Sequence, residues 1–261
     1  MFDYHLHSVV SYDGHNTPLE MARAAAAAGL KEICFTDHMD YQYSVPKEVY
    51  TYSVDAYTSG YEGLEIPGLT IRHGTEIGMT NGNREEVEAD IACYPYDFVI
   101  GSVHFINDID IYYPEFWEGR DFIATERIYY EEILRCVQAH DNFDVLGHLT
   151  YISKCKGHPN PRIIPLKDHK ELFAEIMKAL IAKGKGMEIN TSGIDRCGDF
   201  LPGREYLELF RDLGGQVVTV GSDAHTTDRV GQYIGDALAL AKEVFGHVCT
   251  FQNREPVFQK L

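Results

Sequence analysis

Short apolar runs rich in β-branched and aromatic residues alternate along the chain with longer segments whose apolar residues recur at helical spacing. Runs of the first kind predict buried strands, and segments of the second kind predict amphipathic helices. Strands are predicted near 2–5, 32–36, 69–75, 98–103, 145–147, 186–189, 216–220 and 248–251. Helices are predicted near 18–28, 121–140, 167–183, 203–213 and 231–245.

This order is a strand–helix alternation that continues through nearly the whole chain, as is typical of a parallel sheet covered by helices. About seven or eight such units predict an α/β fold in which the sheet closes into a distorted TIM-like barrel. The segments 41–68 and 154–165 are rich in Tyr, Gly or Pro, and they are predicted as long loops over one face. We therefore expect one domain that spans residues 1–261.

A histidine or carboxylate follows each of the first seven predicted strands, at the carboxyl end of the strand. In a parallel barrel these ends converge on one face, which is where active sites lie. Imidazoles and carboxylates gathered in one place are ligands for Zn²⁺, Fe²⁺ or Mn²⁺. The residues are His5, His7, Asp37, His38, Glu76, His104, His148, Glu188, Asn190, Asp223 and His225.

The pair His5 and His7 has the spacing that a strand requires for a shared metal ion. Side chains two residues apart point to the same side, so both imidazoles can reach one ion at about 2.1 Å. Each of these residues alone also fits a structural role, such as a buried, hydrogen-bonded histidine. Their common position at strand ends is what predicts a metal site.

Short motifs surround these residues: His5-Leu6-His7-Ser8, Ser11-Tyr12-Asp13-Gly14, Thr36-Asp37-His38, Gly74-Thr75-Glu76, Gly101-Ser102-Val103-His104, Gly147-His148-Leu149, Glu188-Ile189-Asn190 and Gly221-Ser222-Asp223-Ala224-His225. Taken together, the motifs resemble the PHP (polymerase and histidinol phosphatase) family over nearly the whole chain. The resemblance implies a distorted (β/α)7 barrel with two or three divalent metal ions, Zn, Mn or Fe, at the carboxyl ends of the strands.

The resemblance also implies which side chains bind each ion. The first ion would bind His5, His7, Glu76 and Asp223. The second would share Glu76 and bind His104 and His148. The third would bind His38, His225 and a residue of the first loop, where the family often has histidine. We expect Asp13 at that place, with His15 as the alternative; Asp13 also fits a simple turn with Gly14.

His15, Asp37 and Glu188 are additional candidate ligands. Neighbouring residues of a strand face opposite ways, so Asp37 and His38 are not expected on one ion if both lie in regular strand. Glu188 and Asn190 could instead line the substrate pocket, or hold ligating imidazoles through hydrogen bonds.

We expect Glu76, Asp223 and His225 to be the catalytic residues, with a hydroxide held between two metal ions attacking phosphorus. The substrate phosphate also requires cations from the protein. Candidates for substrate binding are Lys154, Arg162 and Arg196, together with Asn190. Each basic residue alone fits a solvated loop charge equally well.

The formal net charge of −17 argues against a nucleic-acid partner, because a phosphate backbone requires a basic surface. Bound cations can reverse the sign of the field inside a cleft, so a small phosphorylated substrate is still compatible with this charge. The chain has no apolar run long enough to cross a bilayer and no signal-peptide pattern at its start. We expect a cytoplasmic protein without a membrane partner.

The resemblance implies a phosphomonoesterase that hydrolyses L-histidinol phosphate in histidine biosynthesis. One alternative is a PHP phosphoesterase that acts on nucleotides or other small phosphate esters. A second is an amidohydrolase, which uses a similar ligand pattern, although Asp37-His38 and His225 favour the three-metal pattern. A third is a binding module in which the metal cluster is structural or regulatory.

Overall fold

The computed structural model describes residues 1–157 and 163–261. Its strands are β1 (Phe2–Leu6), β2 (Glu32–Met39), β3 (Thr70–Gly78), β4 (Phe98–Ser102), β5 (Phe105–Ile106), β6 (Ile109–Asp110), β7 (Val145–Leu146), β8 (Gly186–Asn190), β9 (Val218–Gly221), β10 (His247–Gln252) and β11 (Glu255–Lys260). Its α-helices are α1 (Pro18–Ala27), α2 (Val54–Tyr61), α3 (Arg84–Ile91), α4 (Pro114–Trp117), α5 (Phe122–Ala139), α6 (Lys170–Ala182), α7 (Ile194–Cys197), α8 (Arg204–Asp212) and α9 (Ile234–Val244).

The main sheet of the described residues has the strand order β1-β2-β3-β4-β7-β8-β9, and every neighbouring pair is parallel. Its two edges meet where Leu6 pairs with Ala224 and the backbone N–H of Asp223 donates to the carbonyl of His5 at 2.8 Å. The sheet therefore closes into a seven-stranded barrel, which confirms the predicted α/β barrel fold.

The first helix shows how local sequence sets an element of this barrel. The Thr17 side chain accepts a hydrogen bond from the N–H of Glu20, and the Glu20 carboxylate accepts one from the N–H of Thr17. This capping box, with Pro18 in the first turn, fixes the start of α1. Met21 and Ala25 on its inner face are buried in the main apolar core.

A bulge in β1 brings two consecutive side chains into the barrel. From Asp3 to Leu6 the strand advances three residues, while its partner β2 advances two, from Ile33 to Phe35. Such an extra residue re-aims the side chains near it. Tyr4 consequently packs in the apolar lower interior, while the next residue, His5, reaches the polar upper interior.

The amino end of the barrel is closed by the antiparallel hairpin β10–β11. The ring of Phe251 in this hairpin packs at a tilt against Phe98 with centroids 4.7 Å apart, and the N–H of Phe251 donates to the Tyr4 hydroxyl at 3.0 Å. The strand predicted near 248–251 is thus present, but it belongs to this plug rather than to the barrel. The hairpin does not cover the opposite, carboxyl end of the barrel, where the candidate ligands lie.

The segment 41–68 was wrongly predicted as loop throughout, because it contains α2. Ser53 caps that helix, and its buried Tyr57 and Tyr61 are one turn apart. The helix α3 was also missed, because only Val87 and Ile91 of its eight residues are buried. No helix in the described part of the chain is long and apolar enough to cross a membrane.

Candidate metal centre

The first group of predicted ligands converges at the carboxyl end of the barrel. Nε2 of His5 lies 3.0 Å from Oε2 of Glu76 and 3.7 Å from Oδ1 of Asp223. Nε2 of His7 lies 3.5 Å from the same two oxygens. Two ligands that bind one tetrahedral ion at about 2.1 Å are about 3.4 Å apart, so this spacing fits a single ion between the four side chains.

The second group is centred on the other oxygen of Glu76. Oε1 of Glu76 lies 2.9 Å from Nε2 of His148 and 3.5 Å from Nε2 of His104. The two imidazole nitrogens face each other at 3.4 Å. Because two protonated nitrogens would repel at this distance, the arrangement fits a cation between them, with Glu76 shared by both groups.

The third group lies nearest to solvent. Oδ2 of Asp13 is 3.1 Å from Nε2 of His225 and 3.6 Å from Nε2 of His38. Both rings stack on His7, at centroid distances of 4.1 and 4.2 Å. The structure thus brings Asp13 to the place that the resemblance implied. The exposed His15 lines the nearby cleft, and its backbone N–H donates to the carbonyl of His225.

The chemistry of these donors fits divalent metal ions. Within the described residues, Nε2 of His7 and Oδ1 of Asp13 are buried without a hydrogen-bond partner. An unpaired buried polar atom costs about 1–3 kcal/mol, so these atoms require a partner of another kind. Imidazole nitrogens and carboxylate oxygens together suit Zn²⁺, Mn²⁺ or Fe²⁺.

The pKa values of the two central carboxylates also fit a site for divalent cations. Burial alone would raise the pKa of Glu76, but the imidazoles around it, His5 foremost, hold that pKa well below its usual value. Burial opposes ionisation of Asp223 too, yet Lys154 and His5 keep its pKa well below the usual value. Both carboxylates are therefore anionic at neutral pH, as ligands of a cation must be.

Glu188 lies behind the cluster instead of inside it. Its Oε1 is 2.6 Å from Nδ1 of His5, and its Oε2 accepts a hydrogen bond from the backbone N–H of His148 at 2.8 Å. A Cβ at Gly221 would lie 2.3 Å from Oε1 of Glu188, so the glycine makes room for this carboxylate. The interpretation of Glu188 as a ligand is corrected, because it faces the far side of the His5 ring.

Asp40 was not predicted from the sequence. It lies behind the second and third ligand groups in the same way that Glu188 lies behind the first. Its Oδ1 lies 2.9 Å from Nδ1 of His104, and its Oδ2 lies 3.4 Å from Nδ1 of His38. The hydroxyl of Tyr12 donates to Oδ2 at 3.2 Å. The sequence could have indicated this position, because Asp40 follows His38 by two residues and strand alternation puts both side chains on one side.

Asp37 does not face the cluster, which corrects its assignment as a candidate ligand. Its Oδ1 accepts hydrogen bonds from the N–H of Ser8 at 2.7 Å and from the hydroxyl of Ser11 at 2.9 Å. The hydroxyl of Tyr61 donates to its other oxygen. Strand alternation turns Asp37 away from His38, so its carboxylate anchors the first loop.

Asn190 lies beneath the cluster and is fully buried, which corrects its assignment to substrate binding. Its amide donates to Oε2 of Glu188 at 3.1 Å and to Oδ2 of Asp223 at 3.3 Å. Asp223 itself has a φ of 56°, in the left-handed region that residues other than glycine rarely adopt. The backbone N–H of Asp223, which donates to the carbonyl of His5 at 2.8 Å, supports this strained backbone.

A cleft of about 1040 Å³ opens above the cluster. Two of the predicted phosphate-binding residues, Lys154 and Arg196, line it, as does Arg229, which the sequence analysis did not single out. Nζ of Lys154 lies 2.5 Å from Oδ2 of Asp223. Burial would lower the pKa of Lys154, but Asp223 raises it, so the amine is charged at neutral pH. Arg162 lies outside the described residues.

Comparison with known proteins gives a consistent result. A family model described as PHP domain matches residues 3–192. The histidinol-phosphatase of Lactococcus lactis subsp. lactis is 33% identical over 256 residues, which cover 96% of this chain and 94% of that protein. A Clostridium acetobutylicum protein named probable histidinol-phosphatase is 28% identical over 99% of this chain and 96% of its own length.

A solved structure shares the fold. It is the crystal structure of histidinol phosphate phosphatase from Lactococcus lactis subsp. lactis complexed with zinc, L-histidinol and phosphate. The two structures superpose with a TM-score of 0.84 at 29% sequence identity, and the match covers 98% of each chain.

Proposed function

The chain belongs to the PHP domain family, and on this premise we propose that it hydrolyses L-histidinol phosphate to L-histidinol and phosphate. It is a phosphoric monoester hydrolase, as its relatives named histidinol-phosphatase are. The observation that carries the proposal is the convergence of three groups of ligands beneath one cleft, the first two of which share the carboxylate of Glu76.

We assign two or three divalent ions to this cluster, with zinc supported by the zinc-bound Lactococcus structure. Bound there, the ions would lower the pKa of water and neutralise charge on the phosphoryl oxygens. The proposed ligands of the first ion are His5, His7, Glu76 and Asp223. Those of the second are Glu76, His104 and His148, and those of the third are Asp13, His38 and His225.

The positions of the side chains in the cluster and the cleft suggest a role for each in the reaction. Glu76 fixes the separation of the first two groups, because each of its oxygens faces a different one. Asp223 and His225 line the cleft, where they can exchange a proton with water or substrate. Lys154 and Arg196 line it too and can neutralise the substrate phosphate.

The third group favours this function over an amidohydrolase. Asp13, His38 and His225 add a complete set of donors beyond those of the two buried groups. An additional cation at the open side of the cluster suits a phosphoryl group, which carries charge on several oxygens at once.

We also propose that residues 1–261 form one domain. The main apolar core runs from Leu6 through helix and strand residues to Val248, so the described elements share one interior. The proposed partner is a small phosphorylated molecule, since the net charge of −17 opposes binding of a nucleic-acid backbone.

A panel of phosphate esters tests the proposed function. The purified, metal-loaded protein would be assayed for phosphate release from L-histidinol phosphate, a mononucleotide and 4-nitrophenyl phosphate. We expect kcat/KM for L-histidinol phosphate to exceed the other two by about 100-fold, a difference of about 2.7 kcal/mol in transition-state binding. Equal or better turnover of the mononucleotide would overturn the substrate assignment in favour of a nucleotide phosphoesterase.

A further inference from the structure

The two imidazoles proposed for the first ion differ in what faces their second ring nitrogen. Nδ1 of His5 lies 2.6 Å from a carboxylate oxygen of Glu188. Nδ1 of His7 has no carboxylate of the described residues beside it, and instead lies 3.3 Å from Oγ of the buried Ser11. Ser11 therefore takes the place at His7 that Glu188 takes at His5.

The hydrogen bonds around Ser11 leave one orientation for its hydroxyl, which has one proton and two lone pairs. Oδ1 of Asp37 already accepts the backbone N–H of Ser8 at 2.7 Å, so it also accepts the proton of the Ser11 hydroxyl, at 2.9 Å. The backbone N–H of His38 can only donate, and it lies 2.9 Å from Oγ, where it occupies one lone pair. The other lone pair faces Nδ1 of His7, so that nitrogen carries the proton of the ring.

This tautomer frees the ring nitrogen of His7 that faces the metal centre. A neutral imidazole has one protonated nitrogen, so a proton on Nδ1 leaves a lone pair on Nε2. Nε2 lies 3.5 Å from Oε2 of Glu76 and from Oδ1 of Asp223, and it is buried without a hydrogen-bond partner among the described residues. The contact with Ser11 thus prepares His7 to bind an ion through Nε2.

The first loop is folded tightly enough to hold Ser11 in this place. The N–H of Ser11 donates to the carbonyl of Ser8 at 2.9 Å, and the N–H of Gly14 donates to the carbonyl of Ser11 at 3.3 Å. A Cβ at Gly14 would lie 1.7 Å from the carbonyl oxygen of Ser8, so the turn requires glycine there. The same turn carries Asp13, so it places one side chain against the first ligand group and one in the third.

We propose that Ser11 is a positioning residue that joins the first and third ligand groups. Its hydroxyl fixes the tautomer of His7, and it holds the backbone of His38 through the N–H that it accepts. Ser11 does not line the cleft, so it acts through these histidines and does not contact the substrate. This inference rests on the proposed function only through its metal centre.

The ring resonances of His7 in the zinc-loaded wild type give the first test. Correlation of ¹⁵N with ring protons in histidine-labelled protein shows which nitrogen carries the proton and which binds zinc. We expect zinc on Nε2 and the proton on Nδ1. The reverse assignment would overturn the proposal without the use of any variant.

The second test compares Ser11→Ala with Ser8→Ala. Oγ of Ser8 lies 3.3 Å from the carboxylate of Asp37 and 3.0 Å from the hydroxyl of Tyr61, but it contacts no imidazole of the described residues. In Ser11→Ala the Nδ1–H resonance of His7 should move upfield as its hydrogen bond is lost. In a chelator-buffered titration, the free zinc concentration that half-converts the His7 resonances should rise about 10-fold in Ser11→Ala and less than about twofold in Ser8→Ala.

Two results for the variants would overturn the proposal. Equal changes in both variants would reduce Ser11 to general support of the loop, and an unchanged Nδ1–H resonance in Ser11→Ala would show that the hydrogen bond does not exist. The proposed function fails separately, if the zinc-loaded wild type releases no phosphate from L-histidinol phosphate. In that case the His7 resonances still decide the role of Ser11, because they require zinc and no substrate.

Discussion

Oε1 of Glu188 lies 2.6 Å from Nδ1 of His5, on the side of the imidazole opposite the Nε2 atom that faces Glu76. Its other oxygen accepts a hydrogen bond from the backbone of His148. One buried carboxylate thus orients a side chain of the first ligand group and the backbone of the second. Such outer contacts fix the tautomer of a ligating histidine and increase its basicity.

Substituting Glu188→Gln should weaken metal binding without unfolding the protein. The amide keeps the shape of the side chain but loses the charge that holds the proton on Nδ1 of His5. We expect the affinity of the tightest ion to fall roughly 10- to 100-fold. Competition with a chromogenic chelator measures this directly. Glu175→Gln, an exposed change on α6, is the control, and equal affinities of the two variants would contradict the role of Glu188.

Asp40→Asn should affect the other two ligand groups. Its carboxylate contacts His104 and His38, which belong to the proposed second and third sites, and it does not contact His5. We expect the variant to retain about one ion per chain after dialysis and Glu188→Gln to lose its first ion preferentially. Elemental analysis of both variants checks this. Identical metal contents would show that the two carboxylates do not serve different sites.

Metal removal should lower the thermal stability of the protein. An ion present at 100 times its dissociation constant adds about 2.7 kcal/mol to the stability of the folded state. For a chain of this size, that corresponds to a decrease in Tm of about 5–10 °C per ion on chelation. Scanning calorimetry with and without chelator measures the shift. The variant His5→Ala, which lacks a proposed ligand, should show a smaller shift, and an unchanged Tm in the wild type would contradict metal binding.

His140 should make the fold less stable in mild acid. It is buried with Nε2 2.8 Å from the carbonyl of Thr80, and burial lowers its pKa below the usual 6.5. The unfolded chain then binds a proton more readily, so the free energy of unfolding falls as the pH drops below about 6.5 and is unaffected above it. In His140→Gln, which can still donate to Thr80, the urea midpoint should change less between pH 7.5 and 5.5. Equal changes in the urea midpoint of the wild type and of His140→Gln between these two pH values would contradict the role of His140.

The positions of most candidate ligands could be predicted because strand ends in a parallel barrel share one face. His5, Glu76 and Asp223 come from strands far apart in sequence, yet each follows an apolar run, and the structure brings both carboxylates within 4 Å of Nε2 of His5. The fold class could be predicted for the same reason, since the strand–helix alternation determines it.

The residues that support the ligands were harder to predict. Strand alternation puts Asp40 on the side of His38 and Asp37 on the other, but only if regular strand continues past His38, and the structure shows that β2 runs to Met39. Asn190 shares its side of β8 with Glu188, but its depth below the cleft depends on the packing of the whole barrel.

The most direct test of the central claim is phosphate release from L-histidinol phosphate by the purified protein, measured before chelation, after chelation and after metal is added back. Elemental analysis of the same three samples supplies the metal content. We predict that release falls to background as the ions are removed and recovers when Zn²⁺ or Mn²⁺ is restored. Release that is unchanged by metal removal, or no release from protein that holds its ions, would contradict the account.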